Sequence, residues 1–246
     1  ITVTLFFNSL HMKTVLHTAN SRGHANHGWL KSRHTFRFAD YYNPTRMGFG
    51  ALRVINDDSV DAGMGFGTHP HRDMEIISIP LEGSLKHKDS EGNAAVIRKG
   101  EVQIMSAGTG IAHSEYNNSQ DEAVKFLQIW VMPEKLGIKP RYEQKAFPEE
   151  ERKNRLAVVV SPDGREGSVR INQQAYFSLA NLDEGKSVEY KQLRKGNGVY
   201  IFVIKGSINV EGENLKLRDG LAIEKFETLK LTAALDSEIL LMEVPV

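Results

Sequence analysis

The 246-residue chain contains no cysteine, which excludes disulfides, zinc–thiolate sites, iron–sulfur clusters and a cysteine nucleophile. That absence suits a reducing compartment, and a cytoplasmic location is expected. Charge of either sign is not in excess: 31 basic residues offset 31 acidic ones, so nothing points to direct nucleic-acid binding or to an anionic membrane. Long apolar runs are missing too, and no membrane span is expected. No Gly-x-Gly-x-x-Gly follows a strand pattern, and the one Gly-Lys-Ser, Gly185-Lys186-Ser187, has Ala180 where a phosphate loop needs its first glycine, which removes the common phosphate loops. The opening ITVTLFFNSLH lacks the basic start and small-residue cleavage site of a secretory signal. A reading frame starts at Met12, and residues 1–11 read as an extension outside the fold. Histidine is the residue spread least evenly. All nine lie at or before His113, so the second half cannot build a histidine-rich site.

What is present centres on residues 63–117. His69 and His71 stand two apart, as do His113 and Glu115, each pair within strand-like sequence. Residues i and i+2 of a strand share a face, so each pair aims both side chains one way. Two such strands facing one another would gather three imidazoles and a carboxylate. That donor set suits one divalent transition metal: Fe, Mn, Ni, Co, Cu or Zn. Gly63, Gly65 and Gly67 permit close approach or positive φ just before the first pair. His24, His27 and His34 lack a tightly paired acid and read as loop and surface histidines, and His87 reads as exposed on a charged hairpin.

Strands of four to eight residues separated by glycine turns every 8–12 residues or so predict an all-β fold. The expected form is two tandem antiparallel β-barrels of jelly-roll type, packed together. Leu52–Ile55 reads as a short strand closed by the turn Asn56-Asp57-Asp58. Val124–Met132 is the clearest central strand of the first half. Residues 133–155 are charged, with three prolines, and read as a connector with a turn of helix. YIFVIKGSINV in the second half echoes IISIPLEGSLKH in the first, which suggests an internal duplication. The expected division is a metal-binding domain over residues 12–140 and a metal-free one over residues 141–246. Phe66, Met74, Phe126, Gln128, Trp130 and Met132 are candidates for an apolar pocket beside the metal. Core packing is the competing account of each.

With RGHANHGWL, ALRVINDD, GFGTHPHRDMEI, MSAGTGIAHSEYN and QIWVMP in view, the chain resembles the bacterial pirin-like proteins, two-domain members of the cupin superfamily. The resemblance runs from Met12 to Val246. Carried onto this sequence it places the metal ligands on His69, His71, His113 and Glu115, the four that spacing picks out. Most metal-binding cupins take a glutamate ligand where Glu75 stands. The pirin-like pattern uses Glu115, which leaves Glu75 as runner-up ligand or supporting group, on a period-two face shared with His69, His71 and Asp73.

The resemblance extends to quercetin 2,3-dioxygenases, which open the central ring of a flavonol with O₂ and release carbon monoxide. It implies Fe(II) as the preferred ion, a small aromatic substrate, and Glu115 as the base that takes the flavonol proton. The alternative is a protein-interaction or regulatory module, its metal a structural or redox switch for a protein partner, since eukaryotic relatives are nuclear proteins associated with transcription. A monomer is expected.

Overall fold

The computed structural model describes residues 12–246; the expected extension, residues 1–11, lies outside them. The described residues form 22 strands joined by turns and three single-turn 3₁₀ segments. In chain order the first are β1 (Lys13–His17), β2 (Gly23–Asn26), β3 (Leu30–His34), β4 (Leu52–Val60), β5 (Gly65–His71) and β6 (Glu75–Glu82). Next come β7 (Ser84–Asp89), β8 (Ala94–Arg98), β9 (Glu101–Ser106), β10 (Ile111–Asn117), β11 (Val124–Val131) and β12 (Arg141–Ala146). The second half holds β13 (Ala157–Ser161), β14 (Val169–Arg170), β15 (Tyr176–Leu182), β16 (Ser187–Lys191) and β17 (Asn197–Lys205). It ends with β18 (Ser207–Val210), β19 (Glu213–Lys216), β20 (Gly220–Glu224), β21 (Thr228–Ala233) and β22 (Ser237–Pro245).

These strands make four sheets, and none of them closes. The first half has a seven-stranded sheet, β12-β9-β6-β11-β4-β3-β2, and a four-stranded sheet, β5-β10-β7-β8. The second half repeats the plan with β1-β20-β17-β22-β15-β13-β14 and β16-β21-β18-β19. The expected all-β architecture of two similar halves is therefore present, but the expected barrels are not: each sheet keeps two free edges. Short alternating strands at regular spacing are common to barrels and to pairs of open sheets, so the sequence pattern does not separate them.

Alternation along each strand assigns the faces. In β6 and β11, Ile77, Ile79, Leu127 and Ile129 face away from the first half's own small sheet. They meet Val159, Phe177, Phe202 and Leu240 of the second half in one continuous apolar cluster. The two seven-stranded sheets thus share the largest core, and the halves are joined by burial of apolar surface. Sheet membership also crosses the 140/141 division. Strand β1 pairs with β20, and β12, inside the expected connector, pairs with β9. Asp57 Oδ2 accepts from Arg22 at 3.3 Å and forms an ion pair with Arg218, also at 3.3 Å, across the same junction.

The opposite faces of β6 and β11 carry Ile76, Ser78, Phe126, Gln128 and Trp130 toward the small sheet β5-β10-β7-β8. The turn expected at Asn56-Asp57-Asp58 is instead the middle of a nine-residue strand, β4. Its polar residues remain in a strand because Asn56 and Asp58 face a cavity and Asp57 faces the two arginines.

Candidate metal centre

Strand β10 is central in the small sheet, with β5 on one side and β7 on the other. Against β5, His113 lies opposite His69 and Glu115 opposite Phe66, so β5 takes one extra residue between them. This β-bulge brings the backbones of Gly65 and Tyr116 close. A Cβ at Gly65 would overlap the Glu115 carbonyl oxygen and lie 2.5 Å from the Tyr116 Cα, which only glycine avoids. Against β7 the register is regular, with His113 opposite Asp89 and Glu115 opposite His87.

Three imidazoles meet on the inner face of this sheet. Ring centroids lie 4.5 Å apart for His69 and His113, and 4.9 Å apart for His71 with either of the others. The ligand atoms of these three all fall within 4.8 Å of one another, and so do those of a second triad, His87, His113 and Glu115. The four residues expected from the sequence are thus distributed over two triads that share His113.

Protonation suits a cation. The Gly67 carbonyl accepts from His69 Nδ1 at 2.8 Å, which leaves the Nε2 lone pair free. Burial, reinforced by His69, His71 and His87, pushes His113 down to about 2. Burial and then His69 bring His71 down to about 4. Both are neutral donors near pH 7. His113 is 1% exposed and neither ring nitrogen has a hydrogen-bond partner. Buried nitrogens of this kind are costly unless something occupies them, and a divalent cation would.

Glu115 is fully enclosed, and burial lifts its carboxyl to about 7 against the opposing effect of two hydrogen bonds. Ser78 Oγ donates to Oε1 at 3.0 Å and Gln128 Nε2 to Oε2 at 2.7 Å. A bound cation would lower that pKa and favour the carboxylate. The cluster can therefore hold a divalent metal.

Glu75 goes elsewhere. Asp73 has φ +49, which ends the alternation begun in β5 and turns Glu75 toward the other half. There its Oε2 accepts from Ser106 Oγ at 2.8 Å and from the Asn172 backbone N–H at 3.1 Å, tying the halves together. Of the expected pocket residues, Phe66, Gln128 and Trp130 line a cavity of about 520 Å³ that reaches His69, His71 and Glu115. Phe126 is core and Met74 packs beside Ile76 and Met105, while Met132 is exposed.

Several residues at the site had escaped the sequence reading. His34, expected at the surface, is 3% exposed and lines the cavity; its Nδ1–H donates to Asn56 Oδ1 at 2.9 Å. His24 and His27 are exposed at the rim of the same cavity. Asp58 faces the cavity and accepts from Ser32 Oγ, and burial raises its carboxyl to about 7. His87, expected in solvent, is 1% exposed. The signal was the alternation of β7, where Leu85, His87 and Asp89 are buried and Lys86 and Lys88 are not.

Comparison with known proteins agrees with this architecture. Residues 15–131 match the Pirin family, and residues 158–244 match the quercetinase C-terminal cupin domain. A quercetin 2,3-dioxygenase of Escherichia coli is 51% identical over 231 residues, covering 94% of this chain and 98% of that protein. A pirin-like protein of Caulobacter vibrioides is 38% identical over 90% of the chain and 95% of its own length. The crystal structure of the bacterial pirin YhhW from Escherichia coli in complex with nickel(II) superposes with a TM-score of 0.90. It is 48% identical over 95% of this chain and 99% of that one. The chain is a two-domain cupin and belongs to the pirin family, close to the quercetin 2,3-dioxygenases.

Proposed function

We propose that the protein is a metal-dependent dioxygenase that opens the central ring of a flavonol with O₂ and releases carbon monoxide. The observation that carries this reading is the opening of the cluster, through His69, His71 and Glu115, onto a cavity of about 520 Å³. That volume suits a small aromatic ligand. The similarity to an Escherichia coli quercetin 2,3-dioxygenase supports the choice of reaction.

In this reading His69, His71, His113 and Glu115 hold one divalent ion, Fe(II) by preference; the relative with nickel(II) shows that a close homologue accepts another metal. The ion would supply Lewis acidity toward the flavonol 3-hydroxyl oxygen and an electronic path for triplet O₂. The chain supplies the rest. Glu115 takes the hydroxyl proton, and its enclosed position keeps that proton from bulk water. Ser78 and Gln128 each hold one carboxylate oxygen, which fixes the direction from which Glu115 acts. Phe66 and Trp130 present ring surfaces to a flat substrate, with Trp130 standing edge-on to His71 at 5.1 Å and 86°. Asn56, Asp58, Ser32 and His34 form a polar wall for ring hydroxyls.

The test is incubation of iron-loaded protein with quercetin, in air and without oxygen. Loss of flavonol absorbance with carbon monoxide released only in air is expected. Identical spectra in both, with no carbon monoxide, would refute the assignment.

A further inference from the structure

One buried histidine beside the cluster has no part in that scheme. His87 Nε2 lies 3.1 Å from Asp89 Oδ2, and both side chains are fully enclosed. The other partners of the Asp89 carboxyl are all N–H donors, from Glu91 and Asn93. A carboxylate only accepts, so Nε2 carries the hydrogen and the lone pair is on Nδ1. That Nδ1 is buried with no hydrogen-bond partner. Nothing about apolar packing calls for this arrangement. A carboxylate fixing the far nitrogen of an imidazole is the standard support of a metal-ligating histidine.

The surroundings are built around the same pair. Asp89 Oδ1 accepts from the backbone N–H groups of Glu91 and Asn93, both at 3.0 Å, and from Asn93 Nδ2 at 3.1 Å. Tyr142 covers the other side of the ring, 4.8 Å between centroids and 34° from parallel. On the open side lie His113, 5.3 Å between centroids, and Glu115, directly opposite His87 in the sheet. The second triad of ligand atoms within 4.8 Å is the outcome.

We propose that His87 is a metal ligand, contributing Nδ1 to an inner position completed by His113 and Glu115, alternative to the outer one that His69 and His71 make with His113. Both positions use His113, so one ion occupies one or the other. Two of the outer ligands, His69 and His71, line the substrate cavity, whereas of the inner ones only Glu115 does. The inner position therefore parks the ion away from substrate, and the outer one presents it. This rests on the reading of His113 and Glu115 as ligands given above.

The isosteric change Asp89→Asn isolates the claim. Two backbone N–H donors fix the acceptor at Oδ1, and Asn93 Nδ2, shared between the two oxygens, can rest on Oδ1 alone, so the amide oxygen stays there and its NH₂ faces His87 Nε2. His87 then has to accept at Nε2 and carry its hydrogen on Nδ1, which removes the donor atom. Co(II) titration followed by visible absorption reads the result, with a thermal melt confirming that each variant folds. The His69→Ala/His71→Ala double variant is expected to bind one equivalent of Co(II). Adding Asp89→Asn should weaken that binding at least about tenfold, and adding His87→Gln, a second probe should Asp89→Asn not fold, should do the same. Asp89→Asn alone should leave the single equivalent of the parent protein in place.

A double variant that binds no Co(II), or binds it equally well with and without Asp89→Asn and His87→Gln, overturns the inner position. If the parent still binds one equivalent and consumes flavonol, that failure leaves the dioxygenase reading standing. A parent that binds Co(II) at the inner position but never turns over flavonol would do the reverse.

Discussion

The interiors of the two halves differ although their sheets follow one plan. Between its two sheets the second half has a single apolar cluster, including Ile201, Val203, Leu229, Leu231 and Leu241, all fully buried. The corresponding space in the first half is divided. Leu30, Val60, Leu85 and Phe126 pack at one end, and Ile76, Met105 and Ile111 at the other. A polar row crosses between them: His34, Asn56, Gln128, Ser78 and Gln103 stand opposite one another on five adjacent strands. The second half shows what this fold needs for stability, and the row shows what the first half gives up for a site. Desolvated polar groups cost free energy that apolar ones return, and the second half confines that cost to Glu243, which accepts from Tyr190 Oη, Asn197 Nδ2 and two backbone N–H groups.

Variants sharpen that contrast. The largest effect is expected from His113→Ala, which should lower metal affinity more than about a hundredfold and abolish flavonol consumption; elemental analysis after desalting reads the first. Glu115→Gln should reduce the turnover rate roughly 10²–10⁴-fold, with flavonol binding, followed by fluorescence quenching, largely kept. In the other half, Leu231→Ala should cost about 2–5 kcal/mol in urea unfolding and leave metal content unchanged.

Two changes should make the first half more like the second. Asp58 has a folded pKa raised to about 7 from 3.8 by burial. A raised carboxyl adds stability that is complete below its unfolded pKa and lost as pH rises through 7. Asp58→Asn keeps the acceptor for Ser32 and removes the ionisation. Metal-free protein with this change should be more stable than its parent at pH 8, by about 1–2 kcal/mol, with the gain gone at pH 4. The lowered pKa values of His71 and His113 act in the opposite sense: their contribution is present above 6.5 and fades as pH falls below it. They are unchanged in the variant, so the difference between the two proteins isolates Asp58. The smallest effect is expected of Gln103→Met. The Gln103 amide is 1% exposed and neither of its polar atoms has a partner, so the change should add about 1 kcal/mol. Chemical denaturation of both proteins measures it.

Much of this was legible in the sequence where one strand alone decides the outcome. His69 and His71, and His113 and Glu115, are placed by the two-residue period, and the turns by their glycines. The expectation weakened wherever a second strand or a second sheet decides. Asn56-Asp57-Asp58 has the composition of a turn, and only the cavity on one face and Arg22 and Arg218 on the other keep it extended. His87 is burial-neutral by type, and its place depends on β10 lying beside β7. Glu75, runner-up ligand or supporting group in the sequence, reaches the metal face only if the two-residue period continues, and Asp73 breaks it with one positive φ. Sheet closure depends on which edges pair, a relation between distant residues that local alternation does not record.

The crossing of strands between the halves has a consequence for anyone dividing this chain. A fragment beginning near residue 150 would lack β1, exposing the backbone edge of β20 along five paired residues, an invitation to self-association. It would also uncover the wide apolar floor beneath Phe177, Phe202 and Leu240. The half that follows the last histidine is thus the foundation on which the histidine half stands, and a single calorimetric transition is expected for the whole chain.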